Sequence, residues 1–125
     1  MFSPPLLDHF QNPRNAGEMR DPTEQVEMSN PVCGDILRLA VRMNAGIVQE
    51  VRFLCRGCAA SIACASLLTE KMTGRTINDL SKITSDKIAA DLGGLPPASA
   101  HAAQLAAEAL QSILKALSGG ASPLV

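Results

Sequence analysis

The sequence is poor in aromatic side chains, with three Phe and neither Trp nor Tyr among its 125 residues. It therefore lacks the row of rings on which the bases of a single-stranded nucleic acid stack. It also lacks a charge excess, since the formal net charge is -1, whereas a nucleic-acid or anionic-membrane surface needs a basic excess. No apolar run approaches the roughly 18 residues of a membrane span. These shortages argue against nucleic acid and membrane as partners.

The N-terminal sequence MFSPPLLDHF has neither the basic start nor the long apolar core of a signal peptide. We therefore expect a cytoplasmic protein. A hydrophobic fraction of 46% and a charged fraction of 18% are typical of an ordinary globular protein, and this length suits one domain. We predict a single domain over residues 1–125, with a disordered tail from about 118 to 125.

Four cysteines in a cytoplasmic chain are expected to be reduced thiols, ligands or redox groups rather than a disulfide framework. Cys55 and Cys58 form a C-x-x-C motif, while Cys64 lies inside a predicted helix and is interpreted as a core residue. One hypothesis is therefore a small thiol oxidoreductase that uses Cys55 and Cys58. Nothing else in the sequence resembles the βαβ setting of such motifs.

The sequence places its strands first and its helices later. Strands are predicted over about 25–28, 35–43 and 47–54, with Asn44-Ala45-Gly46 as a three-residue hairpin loop. Helices are predicted from Pro4 to Asn12, Ala59 to Gly74, Thr76 to Ile83, Thr84 or Ser85 to Gly93, and Ser99 to Leu117, with Leu95-Pro96-Pro97 as an extended linker. This order predicts an α+β fold, in which a small antiparallel sheet of about three strands is covered by helices on one face.

Four side chains with ligand chemistry lie at three junctions between these elements. Cys33 and Asp35 are two residues apart at the start of a strand, so they point to the same side. Cys58 immediately precedes a predicted helix, where free backbone N–H groups favour a thiolate. His101 lies in the first turn of the last helix, where a neutral imidazole can act as a ligand. Zinc accepts such a set, and iron–sulfur clusters also accept mixed thiolate and nitrogen ligands.

Several segments in this order carry a family resemblance. They are DHFQNPRNAG (8–17), PVCGD (31–35), RGC (56–58), LLTEKMTGR (67–75), and LPP (95–97) followed by a His at the start of the last helix. With these segments the chain resembles the IscU/SufU/NifU-type scaffold proteins of iron–sulfur cluster assembly, specifically the NifU-like N-terminal domain. The resemblance runs from about Leu6 to Leu117. No long insertion separates Cys58 from His101, which is closer to the IscU or NifU type than to the Gram-positive SufU type.

The resemblance implies a scaffold or carrier that is not an enzyme and that binds iron or a [2Fe–2S] cluster. Cys33, Asp35 and Cys58 match the family's ligand positions, and His101 would complete the set. The same four residues could hold zinc in purified protein. The implied partners are a cysteine desulfurase, together with iron or electron donors and apo acceptor proteins.

The chain departs from the family pattern at two places. Ala102 stands where the family has its third cysteine, the thiol that is held to receive sulfur as a persulfide. Ala98-Ser99 follows the proline pair where chaperone-dependent members have Val-Lys, which argues against recognition by an Hsp70-type chaperone. An alternative therefore stays open, namely a divergent paralogue that binds zinc or iron and regulates or occupies a cysteine desulfurase without assembling clusters. Cys55 is a candidate substitute for the lost thiol.

Overall fold

A computed structural model of the chain describes residues 2–31 and 34–119. The helices and strands in chain order are α1 (Pro4–Gln11), β1 (Glu24–Ser29), β2 (Ile36–Asn44), β3 (Ile47–Arg56), α2 (Ala59–Met72), α3 (Ile77–Leu80), α4 (Ser85–Asp91) and α5 (Ala100–Leu117). This order confirms the predicted α+β fold. Within the described ranges, no helix is long and apolar enough to span a membrane.

The three strands form one antiparallel sheet in the order β1-β2-β3. Asn44 pairs with Ile47, so the hairpin turn between β2 and β3 has two residues, Ala45 and Gly46. Both have positive φ angles, 54° and 79°, as in a type I′ turn, whose twist matches that of the flanking strands. The predicted three-residue loop is therefore wrong, because Asn44 belongs to the ladder.

The helices cover one face of the sheet, as predicted, with α5 packed across β1 and β2 and α2 packed against β3. Val51 and Phe53 of β3 point into the core between these layers, whereas Leu54 is exposed on the opposite face. Helix α2 is apolar nearly all round and buried, which agrees with its position between α1, α5 and the sheet. Cys64 has no exposed surface, and burial raises the pKa of its thiol to about 12. The prediction that Cys64 is a core residue is confirmed.

Other boundaries differ from the predictions at the ends of elements. Strand β3 extends two residues beyond Leu54, and α3 ends at Leu80 rather than Ile83. The predicted extended linker ends in a 3₁₀ turn over Pro97–Ser99, and the Ser99 side chain makes no capping hydrogen bond to α5. Residues 120–125 of the predicted tail lie outside the described residues, so the tail and the domain boundary stay predictions.

The N-terminal motif, residues 8–17 (DHFQNPRNAG), is attached to α2 by buried hydrogen bonds. Ser66 Oγ accepts the backbone N–H of Arg14 at 2.8 Å and lies 2.8 Å from His9 Nδ1. In the neutral tautomer that is protonated at Nε2, the Ser66 hydroxyl donates its proton to His9 Nδ1. His9 Nε2 then carries the ring proton and faces Glu70 Oε1 at 3.4 Å. Burial lowers the pKa of His9, which favours this neutral imidazole.

The same motif also extends the sheet beside β3. The N–H of Phe53 donates to the carbonyl of Asn15 at 3.0 Å, and the N–H of Gly17 donates to the carbonyl of Phe53 at 2.8 Å. These bonds pair the outer edge of β3 with the loop that follows α1. The motif therefore joins α1, α2 and β3, the strand that leads into the RGC turn.

Replacing Ser66 with Ala is expected to destabilise the fold. The substitution leaves the Arg14 N–H and His9 Nδ1 without their buried partner, at a cost of about 1–3 kcal/mol in the free energy of unfolding. Urea unfolding measures the change. The matched control is Ser112→Ala on α5, since the half-buried Ser112 hydroxyl has no hydrogen bond within the described residues. Its effect should stay within about 0.5 kcal/mol, and equal effects of the two substitutions would contradict the assignment.

Candidate metal centre

The candidate site lies where β2, α2 and α5 begin. Asp35 immediately precedes β2, Cys58 is the N-cap residue of α2, and His101 lies in the first turn of α5. The antiparallel register pairs Ile36 with Arg56, so Asp35 and the turn that contains Cys58 are neighbours at one end of the sheet. Because α5 packs across β1 and β2, its first turn brings His101 to the same end.

The potential ligand atoms of Asp35, Cys58 and His101 all lie within 4.8 Å of one another. Asp35 Oδ2 is central, at 3.8 Å from Cys58 Sγ and 3.6 Å from His101 Nε2. Tetrahedral ligands with bonds of about 2.0–2.3 Å are roughly 3.3–3.8 Å apart, so these separations suit one shared metal ion. Cys33, the fourth residue of the predicted set, lies outside the described residues, and its place in the site stays a prediction.

His101 Nε2 provides a second indication of a cation. This nitrogen is enclosed but has no hydrogen-bond partner within the described residues. Its 3.6 Å separation from Asp35 Oδ2 is too long for a hydrogen bond. Enclosed polar atoms are nearly always paired. A metal cation bound between the imidazole and the carboxylate would give both groups a partner. The donor set thus suits zinc or iron.

The site is closed around the carboxylate and open at the thiol. Asp35 is 5% exposed, whereas Cys58 is exposed. The close approach of the RGC turn accounts for this burial. A Cβ atom at Gly57 would lie 2.7 Å from Asp35 Cγ and 2.8 Å from Asp35 Oδ1, so any side chain at this position would displace the carboxylate. Gly57 was not singled out from the sequence, although the RGC segment contained it.

Ser61 is a site residue that the sequence did not indicate. Its Oγ donates a hydrogen bond to Asp35 Oδ2 and lies 3.4 Å from Cys58 Sγ. A serine in an alanine-rich helix does not by itself indicate a role in a site. Its spacing from Cys58 could have indicated one, since a residue three positions after the N-cap lies on the same helix face as the cap.

The remaining candidate thiol, Cys55, is half-buried in β3, and burial raises its pKa to about 12. Such a thiol stays protonated at neutral pH and is a poor nucleophile, and Cys55 is not among the described residues whose ligand atoms converge with Asp35. This weighs against the thiol oxidoreductase hypothesis and against Cys55 as a substitute for the missing third cysteine. Ala102, which occupies that position, is only 1% exposed and packs into the core beside His101.

Comparison with known proteins identifies the family of the chain. The sequence profile of the NifU-like N terminal domain family matches residues 1–120. The chain belongs to this family. The iron-sulfur cluster assembly scaffold protein IscU 1 of Archaeoglobus fulgidus is 42% identical over 111 residues, which are 89% of this chain and 72% of that protein. The scaffold protein IscU of Azotobacter vinelandii is 37% identical over 118 residues, 91% of each chain. The family resemblance predicted from the motifs is confirmed.

Solved structures of similar shape support the fold. A protein assigned to the SUF system of Fervidobacterium islandicum AW-1 superposes with a TM-score of 0.77 at 19% identity, over 91% of this chain and 96% of that chain. The N-terminal part of a nitrogen-fixing NifU-like protein from Brucella abortus gives a TM-score of 0.63 at 16% identity, over 90% and 80%. Likeness at these identities concerns the fold alone, and it confirms the α+β architecture of this NifU-like domain.

Replacing Gly57 with Ala is expected to weaken metal binding by about tenfold or more, the range seen when the support of a metal ligand is lost. The new methyl group would push the Asp35 carboxylate away from Cys58 and His101. Competition between the protein and a chelator for zinc measures the affinity. The control is Arg56→Ala, which changes an exposed residue of the same turn and should leave the affinity unchanged. A Gly57→Ala variant that binds zinc normally would contradict the role assigned to this close approach.

Proposed function

We propose that this protein is a scaffold or carrier on which an iron–sulfur cluster is assembled, and that it is not an enzyme. The observation that carries the proposal is the convergence of Asp35, Cys58 and His101 at one end of the sheet. Support also comes from the relatives in the NifU-like domain family that are named as iron–sulfur cluster assembly scaffolds. The iron or [2Fe–2S] cluster is the cargo in this proposal. Zinc is a substitute that the same ligands would accept in purified protein.

The four proposed ligands combine firm and weak binding. Cys33 and Cys58 would supply soft thiolate sulfur, which iron in clusters prefers. Asp35 would supply a harder carboxylate oxygen, and His101 a nitrogen. A mixed set holds a cluster less firmly than four thiolates would, so the cargo can be passed on. The exposure of Cys58 leaves one side of the site accessible to a second protein.

This accessible side is where we place the partners. A cysteine desulfurase would supply sulfur there, iron or electron donors would complete the cluster, and apo acceptor proteins would receive it in the cytoplasm. The Ala98-Ser99 pair after the prolines, in place of Val-Lys, argues against delivery through an Hsp70-type chaperone. This assignment follows from the family resemblance together with the open geometry at Cys58.

A second candidate function follows from the lack of the family's third cysteine. Ala102 replaces the third cysteine and is packed into the core, and Cys55 is poorly suited to replace that thiol. A divergent paralogue with this site would bind zinc or iron and regulate or occupy a cysteine desulfurase without assembling clusters. The two functions differ in whether iron and sulfide together are retained.

Anaerobic reconstitution with iron and sulfide, followed by visible absorption over time, distinguishes them. A scaffold is expected to hold a cluster that Cys58→Ala loses. Ala102→Cys should lengthen the cluster's lifetime, since it adds a soft thiolate ligand at the position of the family's third cysteine, next to His101. The control is Ala109→Cys, which places the same sulfur at another fully buried position of α5 and should not change the lifetime.

Two other outcomes are informative. If neither the unchanged protein nor Ala102→Cys holds a cluster, the scaffold proposal is wrong and the zinc- or iron-binding paralogue is the better account. If both hold a cluster equally long, Ala102 is not a defect of the site.

A further inference from the structure

The Asp35 carboxylate has one hydroxyl donor within the described residues, and that donor is Ser61. A carboxylate that is 5% exposed needs hydrogen bonds or a cation to replace its lost hydration. Ser61 is itself only 3% exposed, and its Oγ contacts Asp35 Oδ2 directly. The Cys58 thiol, at 3.8 Å from the same oxygen, is a longer and weaker donor. Among the described residues, Ser61 is therefore the main side-chain donor that orients the carboxylate.

The direction of these hydrogen bonds follows from the number of protons. Ser61 has a single hydroxyl proton, and it donates that proton to Asp35 Oδ2. The Cys58 thiol carries one proton, which is available either to Asp35 Oδ2 at 3.8 Å or to Ser61 Oγ at 3.4 Å. The Ser61–Asp35 hydrogen bond uses no proton from Cys58. Oδ2 still has a second lone pair for the cargo.

The position of the Ser61 hydroxyl is fixed by the core. Ser61 is the third residue of α2, and its helical neighbours Ala60, Ala63 and Cys64 have no exposed surface. Cys58 caps the same helix three residues earlier, so thiol and hydroxyl lie on one face of α2. The hydroxyl thereby couples the helix that carries Cys58 to a carboxylate that belongs to the start of β2.

We propose that Ser61 is a positioning residue of the site. Its hydroxyl holds Asp35 Oδ2 turned towards Cys58 and His101, so that these groups are arranged before the cargo arrives. Ser61 binds no metal itself in this account. The inference rests on the proposed function of the site, and it adds a residue that neither the motifs nor the ligand set indicated.

The test measures zinc affinity by chelator competition in the full chain. Ser61→Ala is expected to lower the affinity about 10–100-fold, as loss of a ligand's hydrogen-bond partner does in metal sites. Ser61→Thr keeps the hydroxyl and should restore most of the affinity. Ser61→Val has the shape of the threonine variant but lacks the hydroxyl. If Ser61→Ala folds poorly, the difference in zinc affinity between Ser61→Thr and Ser61→Val measures the contribution of the hydrogen bond.

The matched control is Ser66→Ala, which removes a fully buried hydroxyl from the same helix. Ser66 bonds His9 and the Arg14 backbone rather than Asp35, so its loss should lower stability without changing zinc affinity. Cobalt(II) absorption gives a second readout, because its visible bands report ligand geometry. The Ser61→Ala and Ser61→Val variants should change these bands, whereas Ser66→Ala should not.

The outcomes separate this inference from the proposed function. If Ser61→Ala and Ser61→Val bind zinc as tightly as the unchanged protein while Cys58→Ala does not, the role of Ser61 is wrong and the site stands. If Cys58→Ala also binds zinc as tightly, the proposed metal site itself is wrong.

Discussion

The burial of one carboxylate, that of Asp35, is the constraint on which the site depends. A carboxylate removed from water is stable only beside donors or a cation. Here Ser61 donates to it, Cys58 and His101 face it, and Gly57 leaves the space that it occupies. Because these groups come from different parts of the chain, the carboxylate links the starts of β2, α2 and α5.

The rest of the fold keeps those three starts together. The register of β2 with β3 places Asp35 beside the RGC turn, and the buried helix α2 fixes the direction in which Cys58 and Ser61 point. The N-terminal motif supports the same arrangement from behind. His9 and Arg14 attach it to Ser66 of α2, while Asn15 and Gly17 pair with Phe53 of β3. These contacts of the N-terminal motif stabilise the position of α2 and β3, although the motif supplies no ligand to the site.

Much of this structure could be predicted from local patterns. Alternation and helix-stop residues gave the order of strands and helices, and junction positions indicated Asp35, Cys58 and His101. Gly57 and Ser61 were missed because their roles depend on a carboxylate more than 20 positions away in sequence, which no local pattern reveals. The predicted hairpin loop was one residue too long. Only the pairing of Asn44 with Ile47 shows that Asn44 belongs to the strand. The position of Cys33 stays a prediction.

We propose that Asp35, Cys58 and His101 share one metal ion with Cys33. X-ray absorption of the zinc-loaded protein tests it most directly, because it counts sulfur and lighter ligands separately. We expect two sulfur ligands at about 2.3 Å and two nitrogen or oxygen ligands at about 2.0–2.2 Å. A first shell with nitrogen and oxygen alone, or with sulfur alone, would contradict the account.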